Sequence, residues 1–321
     1  MFSLLGCQSY NQSVNSQKFK NEYFFLFEDW SNKDTSEIII LAIHGYNDYS
    51  NSFKYPAKFL NKFGIRTIAF DLQGFGKNNN RGEWYGLDFH IEDVKKRLEI
   101  IKRKNPQKKI FLMGESMGGA IVLSIANLNN NLPIDGVILV APAVWNFTET
   151  NFFKSITMNL VSNIFPGLEI SGKGWVDVKA SDNLQMLKEL SNDQFFIHKP
   201  NARSLYGIIR LMDLSYKNAA NFLKNPKYDT LLLIPVKDEI IPRKPLLKLL
   251  KDENIKKNLN NKIKLGVYNF SYHMMLRDRQ GDFISREIKE WVLDKDSILN
   301  LKSFENSLKE LQKQKFYHIL D

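Results

Sequence analysis

One cysteine, Cys7, stands in this chain of 321 residues, which excludes an intramolecular disulfide framework and any cysteine-based zinc site. Long apolar runs are missing as well: none approaches the roughly 18 consecutive residues that carry a helix across a bilayer. There is no Arg-rich run, no recognition-helix pattern and no zinc-finger spacing. The net charge of +10 is spread over lysines that alternate with acids, as in Asp93-Val-Lys-Lys-Arg97, so it reads as a solvated basic surface and not as a nucleic-acid footprint. Such a surface can still attract anionic lipid. No internal repeat or low-complexity tract is present. Histidine is scarce, with five in the chain, which makes the search for a catalytic base short. Against these absences, 43% hydrophobic residues are enough to bury a sizeable core, in one large α/β domain or two ordinary ones.

The first residues form a separate question. Leu4-Leu5-Gly6-Cys7 resembles the lipobox of bacterial lipoproteins, in which the cysteine is lipidated and the preceding residues are removed, although only six residues precede Cys7 here and a full signal has a basic region and a longer apolar stretch. The polar segment that follows, to Asn21, reads as a tether, so residues 1–21 are set apart from a domain spanning 22–321. A genuine lipobox implies a membrane-anchored protein of the bacterial cell envelope, and an ordinary terminus a cytoplasmic one.

From there the pattern is strand, helix, strand. Tyr23–Phe27, Glu37–Ile43, Ile65–Asp71, Lys109–Met113, Gly136–Ala141, Tyr228–Ile234 and Lys264–Tyr268 read as strands, several apolar enough to be buried on both faces. Helices are expected between them. In one, Val94, Leu98 and Ile101 share a buried face while Lys95, Lys96 and Arg97 point outward. The alternation predicts a mostly parallel, doubly wound sheet with helices on both faces. It breaks between about 143 and 213, where Ile156, Leu160 and Ile164 lie on one helical stripe with Phe152, Phe153, Val161 and Phe165 close by. That stretch reads as a helical cap inserted after the Gly136 strand, since a structureless loop of such length is rare in a compact domain. Residues of about 297–319 carry Leu301, Phe304, Leu308 and Leu311 at helical spacing, a last helix packed on the domain.

The chemistry centres on Gly114-Glu-Ser-Met-Gly-Gly119, a Gly-x-Ser-x-Gly pattern between an apolar strand and an apolar helix. In that context a serine sits on a strained turn whose flanking residues must be small, with a helix N-terminus beside it. Ser116 needs a base, an orienting acid and an oxyanion hole. His44 lies too early for the order serine, acid, histidine; His90 opens a surface helix, His198 lies in the cap and His318 in the tail. His273, directly after the last strand, is left as the base. Asp238 follows the Leu231 strand and is preferred as the acid over Glu239, which would face away, and over Asp229, at the wrong end of the strand. The oxyanion donors are the backbone N–H groups of Met117 and of Tyr46 in the loop His44-Gly-Tyr-Asn-Asp48, with His44 itself structural.

The ordered set His44-Gly-Tyr-Asn-Asp48, Asp71-Leu-Gln-Gly-Phe-Gly76, Gly114–Gly119, Lys237-Asp-Glu-Ile-Ile-Pro242 and Tyr272-His273 resembles the α/β-hydrolase superfamily. Within it the chain is similar to the monoacylglycerol lipase and lysophospholipase group, also described as serine aminopeptidase S33-like, over roughly Tyr23 to Leu293. Two departures are visible: Gln73 stands where an arginine is common, and the hairpin before Glu37 is short, so an edge strand is expected to be missing. The resemblance implies an α/β-hydrolase fold with a cap insertion, a Ser116 acyl-enzyme and hydrolysis of a lipid-like carboxylic ester such as a monoacylglycerol or lysophospholipid. No cofactor or metal is implied, and the oligomeric state is left open. An aminopeptidase is the alternative, with Glu169, Asp182 or Glu189 binding a free amine; a non-catalytic ligand receptor on the same fold is another.

Overall fold

A computed structural model describes residues 28–29, 36–128, 131–170, 178–259 and 261–295. The tether with Cys7, the strand expected at Tyr23–Phe27, the helix of about 297–319 and His318 lie outside these residues, as do 171–177 of the interruption.

The strands are β1 (Glu28–Asp29), β2 (Ile38–Ile43), β3 (Ile65–Ala69), β4 (Lys109–Glu115), β5 (Gly136–Val140), β6 (Thr230–Pro235) and β7 (Ile263–Tyr268). They form one sheet in the order β1-β3-β2-β4-β5-β6-β7. Every neighbouring pair is parallel except β1 with β3. An antiparallel edge strand is therefore present where the sequence reads as lacking one; two residues suffice, Glu28 opposite Ala69 and Asp29 opposite Ile68, with Asp29 held by Arg66 at 2.6 Å. The register puts Ile43 beside Gly114 and Gly114 beside Leu139, which aligns the ends of the three central strands.

Burial explains the strand composition. In β2, Ile39, Leu41 and Ile43 enter one apolar core and Ile38, Ile40 and Ala42 the other, so both faces of the sheet are covered. The first core is shared with α2 (Leu87–Lys104), α3 (Met117–Leu128), α7 (Ala202–Lys224) and α8 (Arg243–Leu250); the second with α1 (Lys54–Asn61) and α10 (Gly281–Leu293). A short α9 (Glu253–Lys256) precedes β7. Between β5 and β6 the chain forms α4 (Phe147–Thr150), α5 (Phe152–Ile164), α6 (Leu184–Ser191) and α7, with α4 and α5 packed on α7. Asn183 and Asn201 cap α6 and α7, accepting from the N–H groups of Met186 and Ser204. α7 is a continuous helix of 23 residues that begins in the interruption and ends buried against the sheet.

Two residues of α2 and one whole helix differ from their sequence reading. Arg97 does not point outward: it is buried, pairs with Asp93 at 3.0 Å and stacks over Phe70 at 3.8 Å. His90 does not lie on a surface; it is buried among Phe75, Trp84 and Phe89. In α5 the amphipathic pattern is inverted. Ser155 and Ser162 are buried, while Phe152, Phe153, Ile156, Leu160 and Ile164 are exposed. A buried ion pair is costly to break and cheap to replace whole. Asp93→Ala is therefore expected to destabilise the fold by about 3–5 kcal/mol, while the double change Asp93→Leu/Arg97→Met stays within about 1.5 kcal/mol of the parent, as read from urea unfolding.

Candidate active site

The four parallel strands β2, β4, β6 and β7 each end in a loop on the same edge of the sheet, and each loop carries one part of the site. Ser116 follows β4 directly and adopts φ +54°, a left-handed backbone that a residue with a side chain occupies only under constraint. Three hydrogen bonds hold it: its N–H donates to Val140 O, and its carbonyl accepts from the N–H groups of Ala120 and Ala143, each at 3.0 Å. The small neighbours are required by contact. A Cβ on Gly118 would lie 2.0 Å from Ile43 O, and one on Gly114 would lie 2.3 Å from the Gly118 carbonyl group. The turn exists because β2, β4 and α3 approach at backbone distance.

The imidazole of His273 stands between the serine and a carboxylate. Its Nε2 is 2.8 Å from Ser116 Oγ and its Nδ1 is 2.8 Å from Asp238 Oδ2. Asp238 Oδ1 accepts the N–H groups of Ile240 and Ile241 at 2.8 and 2.9 Å, so the acid is oriented from both oxygens. Glu239 turns away, as its position predicts, and accepts Lys179 N–H at 2.8 Å. The acid and histidine loops are stitched together by Val236 N–H to Tyr268 O and Lys237 N–H to Ser271 O. His273 and Asp238 are buried at 5% and 8% exposure. Burial pulls the His273 pKa down, but the charge and hydrogen bond of Asp238, aided by Glu115, outweigh it and leave the imidazole more basic than usual. The acid also borders a small cavity of about 20 Å³ whose lining includes Val144, Ile241, Leu246, Leu250 and Arg243.

Gly45 lies against the nucleophile, and a Cβ there would sit 3.3 Å from that of Ser116. Among the described residues, the N–H groups of Tyr46 and Met117 have no hydrogen-bond acceptor, as donors awaiting an oxyanion would. His44 serves structure: Nδ1 donates to Gly45 O at 2.8 Å and Nε2 accepts Leu72 N–H at 2.9 Å. That pair of bonds requires the neutral imidazole, and burial accordingly lowers its pKa. The Tyr46 side chain donates to Ser204 Oγ of α7 at 2.9 Å and packs edge-on to Trp84. Next to it Asn47, at φ +66°, accepts Ile197 N–H at 2.9 Å. Of the acids named for an amine site, Glu169 and Glu189 are exposed and Asp182 accepts Arg279 N–H. Sequence reading missed three charged residues buried beneath the site, Asp48, Glu115 and Arg277. The available signal was position: Glu115 continues the buried β4, and Arg277 follows the apolar run Met274-Met-Leu276.

Comparison with known proteins agrees with this architecture. Human monoglyceride lipase is 23% identical over 269 residues, covering 82% of this chain and 84% of that one. The phospholipase YtpA of Bacillus subtilis (strain 168) is 23% identical over 194 residues, 60% of this chain and 74% of that one. Among solved structures, the monoacylglycerol lipase of Paleococcus ferrophilus superposes with a TM-score of 0.66 at 23% identity, covering 85% of this chain and 99% of that one. A soluble variant of the monoglyceride lipase of Saccharomyces cerevisiae, in complex with a substrate analog, gives 0.67 at 21% identity, covering 84% and 91%. Those superpositions establish an α/β-hydrolase fold. The family described as serine aminopeptidase, S33 (Hydrolase_4) matches residues 34–280, and the chain belongs to it.

Proposed function

We propose that this protein is a serine hydrolase cleaving carboxylic esters of lipid-like substrates such as monoacylglycerols or lysophospholipids, through a Ser116 acyl-enzyme. The observation that carries the reading is the continuous line Ser116–His273–Asp238, with two 2.8 Å contacts and the serine held at positive φ. His273 Nε2 takes the Ser116 proton as Oγ bonds to the ester carbonyl carbon, and Asp238 fixes the tautomer and stabilises the imidazolium. The carbonyl oxygen, now negative, is received by the Tyr46 and Met117 N–H groups. Collapse breaks the bond to the leaving alcohol, which departs with the imidazolium proton. Water then repeats the sequence on the acyl-enzyme, releasing the carboxylic acid and restoring Ser116. The kinship with a monoglyceride lipase and a phospholipase supports a lipid ester as substrate. The aminopeptidase reading gains less support, because the acids it needs are exposed or engaged elsewhere.

The reading extends to where the enzyme works. Phe152, Phe153, Ile156, Leu160, Ile164 and Phe165 present side chains between 50% and 82% exposed, and Lys154 lies among them in a chain of net charge +10. An apolar helix face on a basic protein suits an anionic lipid surface, the source of the substrate class itself. The face belongs to the segment read as a cap over residues of about 143–213.

Three outcomes are expected. Ser116→Ala abolishes turnover of p-nitrophenyl esters, and a fluorophosphonate probe labels the parent at Ser116; folded parent that resists labelling contradicts the assignment. Because the base must be neutral and its pKa is raised, kcat/KM rises with pH through a midpoint above the ordinary imidazole value of about 6.5; a midpoint below it would count against the Asp238 pairing. Phe153→Asp/Leu160→Asp weakens co-sedimentation with phosphatidylglycerol vesicles by about tenfold or more. Undiminished vesicle binding, or a loss of self-association in its place, overturns the membrane reading.

A further inference from the structure

Behind the nucleophile three buried charges converge from segments far apart in the chain. Arg277, four residues beyond His273, donates from Nη2 to Asp48 Oδ2 in the oxyanion loop. The same nitrogen lies 3.9 Å from Oε2 of Glu115, the residue before Ser116. The three side chains are 3–6% exposed. Asp48 is further satisfied by Tyr49 N–H at 2.9 Å, whereas Glu115 Oε1 and Arg277 Nε have no hydrogen-bond partner among the described residues. Asp278, adjacent to Arg277, accepts from Ser181 Oγ and Tyr272 N–H and fastens the same loop.

Two carboxylates against one guanidinium leave negative charge where water screens it poorly. A buried carboxylate with a free oxygen is costly, and a neutral side chain at 115 would serve packing better. The arrangement makes sense through what it touches. We infer that Asp48, Arg277 and Glu115 form a positioning device for the hydrolytic site, Arg277 holding the oxyanion and histidine loops to the nucleophile strand and Glu115 acting through space on His273. The groups facing Glu115 are Arg277, Asp48, His273 and Asp278. Burial pushes its pKa up, to about 7, with Asp48 and Asp278 adding and Arg277 and His273 opposing. Glu115 in turn favours the imidazolium of His273, which Arg277 disfavours. A carboxylate that ionises in the working range of the base thus strengthens the imidazolium as the serine proton arrives.

The inference rests on the hydrolytic reading and is tested on the full-length enzyme with a soluble ester. Glu115→Gln keeps shape and removes charge. Its acid limb is expected at lower pH, so that activity at a fixed acid pH, relative to its own alkaline plateau, rises about threefold with KM nearly unchanged. A limb superimposable on the parent's overturns the role of Glu115, even if thermal stability changes. Should the variant not fold, the parent's own profile decides: two coupled groups give a limb broader than one ionisation, and a single-proton limb overturns the inference. Arg277→Lys keeps the charge without the planar fork and is expected to lower kcat about tenfold at nearly constant KM, since loops and not substrate contacts shift. Unaltered kcat overturns the role of Arg277. Failure of the hydrolytic reading would look different, because the parent itself would show no turnover.

Discussion

The backbone of Ser116 is the constraint on which the site depends. A left-handed serine costs about 1–2 kcal/mol relative to ordinary conformations, and the surrounding structure compensates with three backbone hydrogen bonds and a helix packed at glycine distance. Those contacts come from β2, β5 and the start of α3, so the hydroxyl is aimed by the middle of the sheet. Such support is available only where both faces and both neighbouring strands are buried. The rest of the chemistry follows from strand order: β6 and β7 lie on the far side of β5, and their loops reach back to meet the serine.

Much of this was legible in the sequence because the residues answer local demands. Gly114 and Gly118 announce a close approach of backbones, and the apolar strands on either side announce where it happens. His273 was reached by elimination and Asp238 by following a strand end, and the fold brings both into line with Ser116. What escaped depended on tertiary burial. Arg97 and His90 sit at helical positions that look solvated, yet Phe70 and the aromatics around Trp84 enclose them. Glu115 and Arg277 are charged, and charge reads as surface unless the partner is known. The stripe of α5 was legible as a pattern but not in direction, because periodicity does not say which face meets the protein.

The chain between β5 and β6 is tied by hydrogen bonds to the loops around Ser116. Ser204 holds Tyr46, Ile197 N–H holds Asn47, and Met274 beside the base donates its N–H to Ala180 O. Each of these contacts joins a loop that carries the chemistry to the chain between β5 and β6. A substitution in that chain can therefore be felt at the loops that carry Tyr46, Asn47 and His273.

Asp48 and Arg277 are separated by 229 positions in the chain and meet at one guanidinium. The loop-closure cost of so long a span favours pairing of the intervening strands first, and Asp48 and Glu115 are synthesised well before their cation. Until the segment that carries Arg277 arrives, the guanidinium that joins the Asp48 loop to the His273 loop is missing. His273 lies four residues before Arg277, so the Ser116–His273 contact and the guanidinium that braces it are completed by the same late segment of the chain.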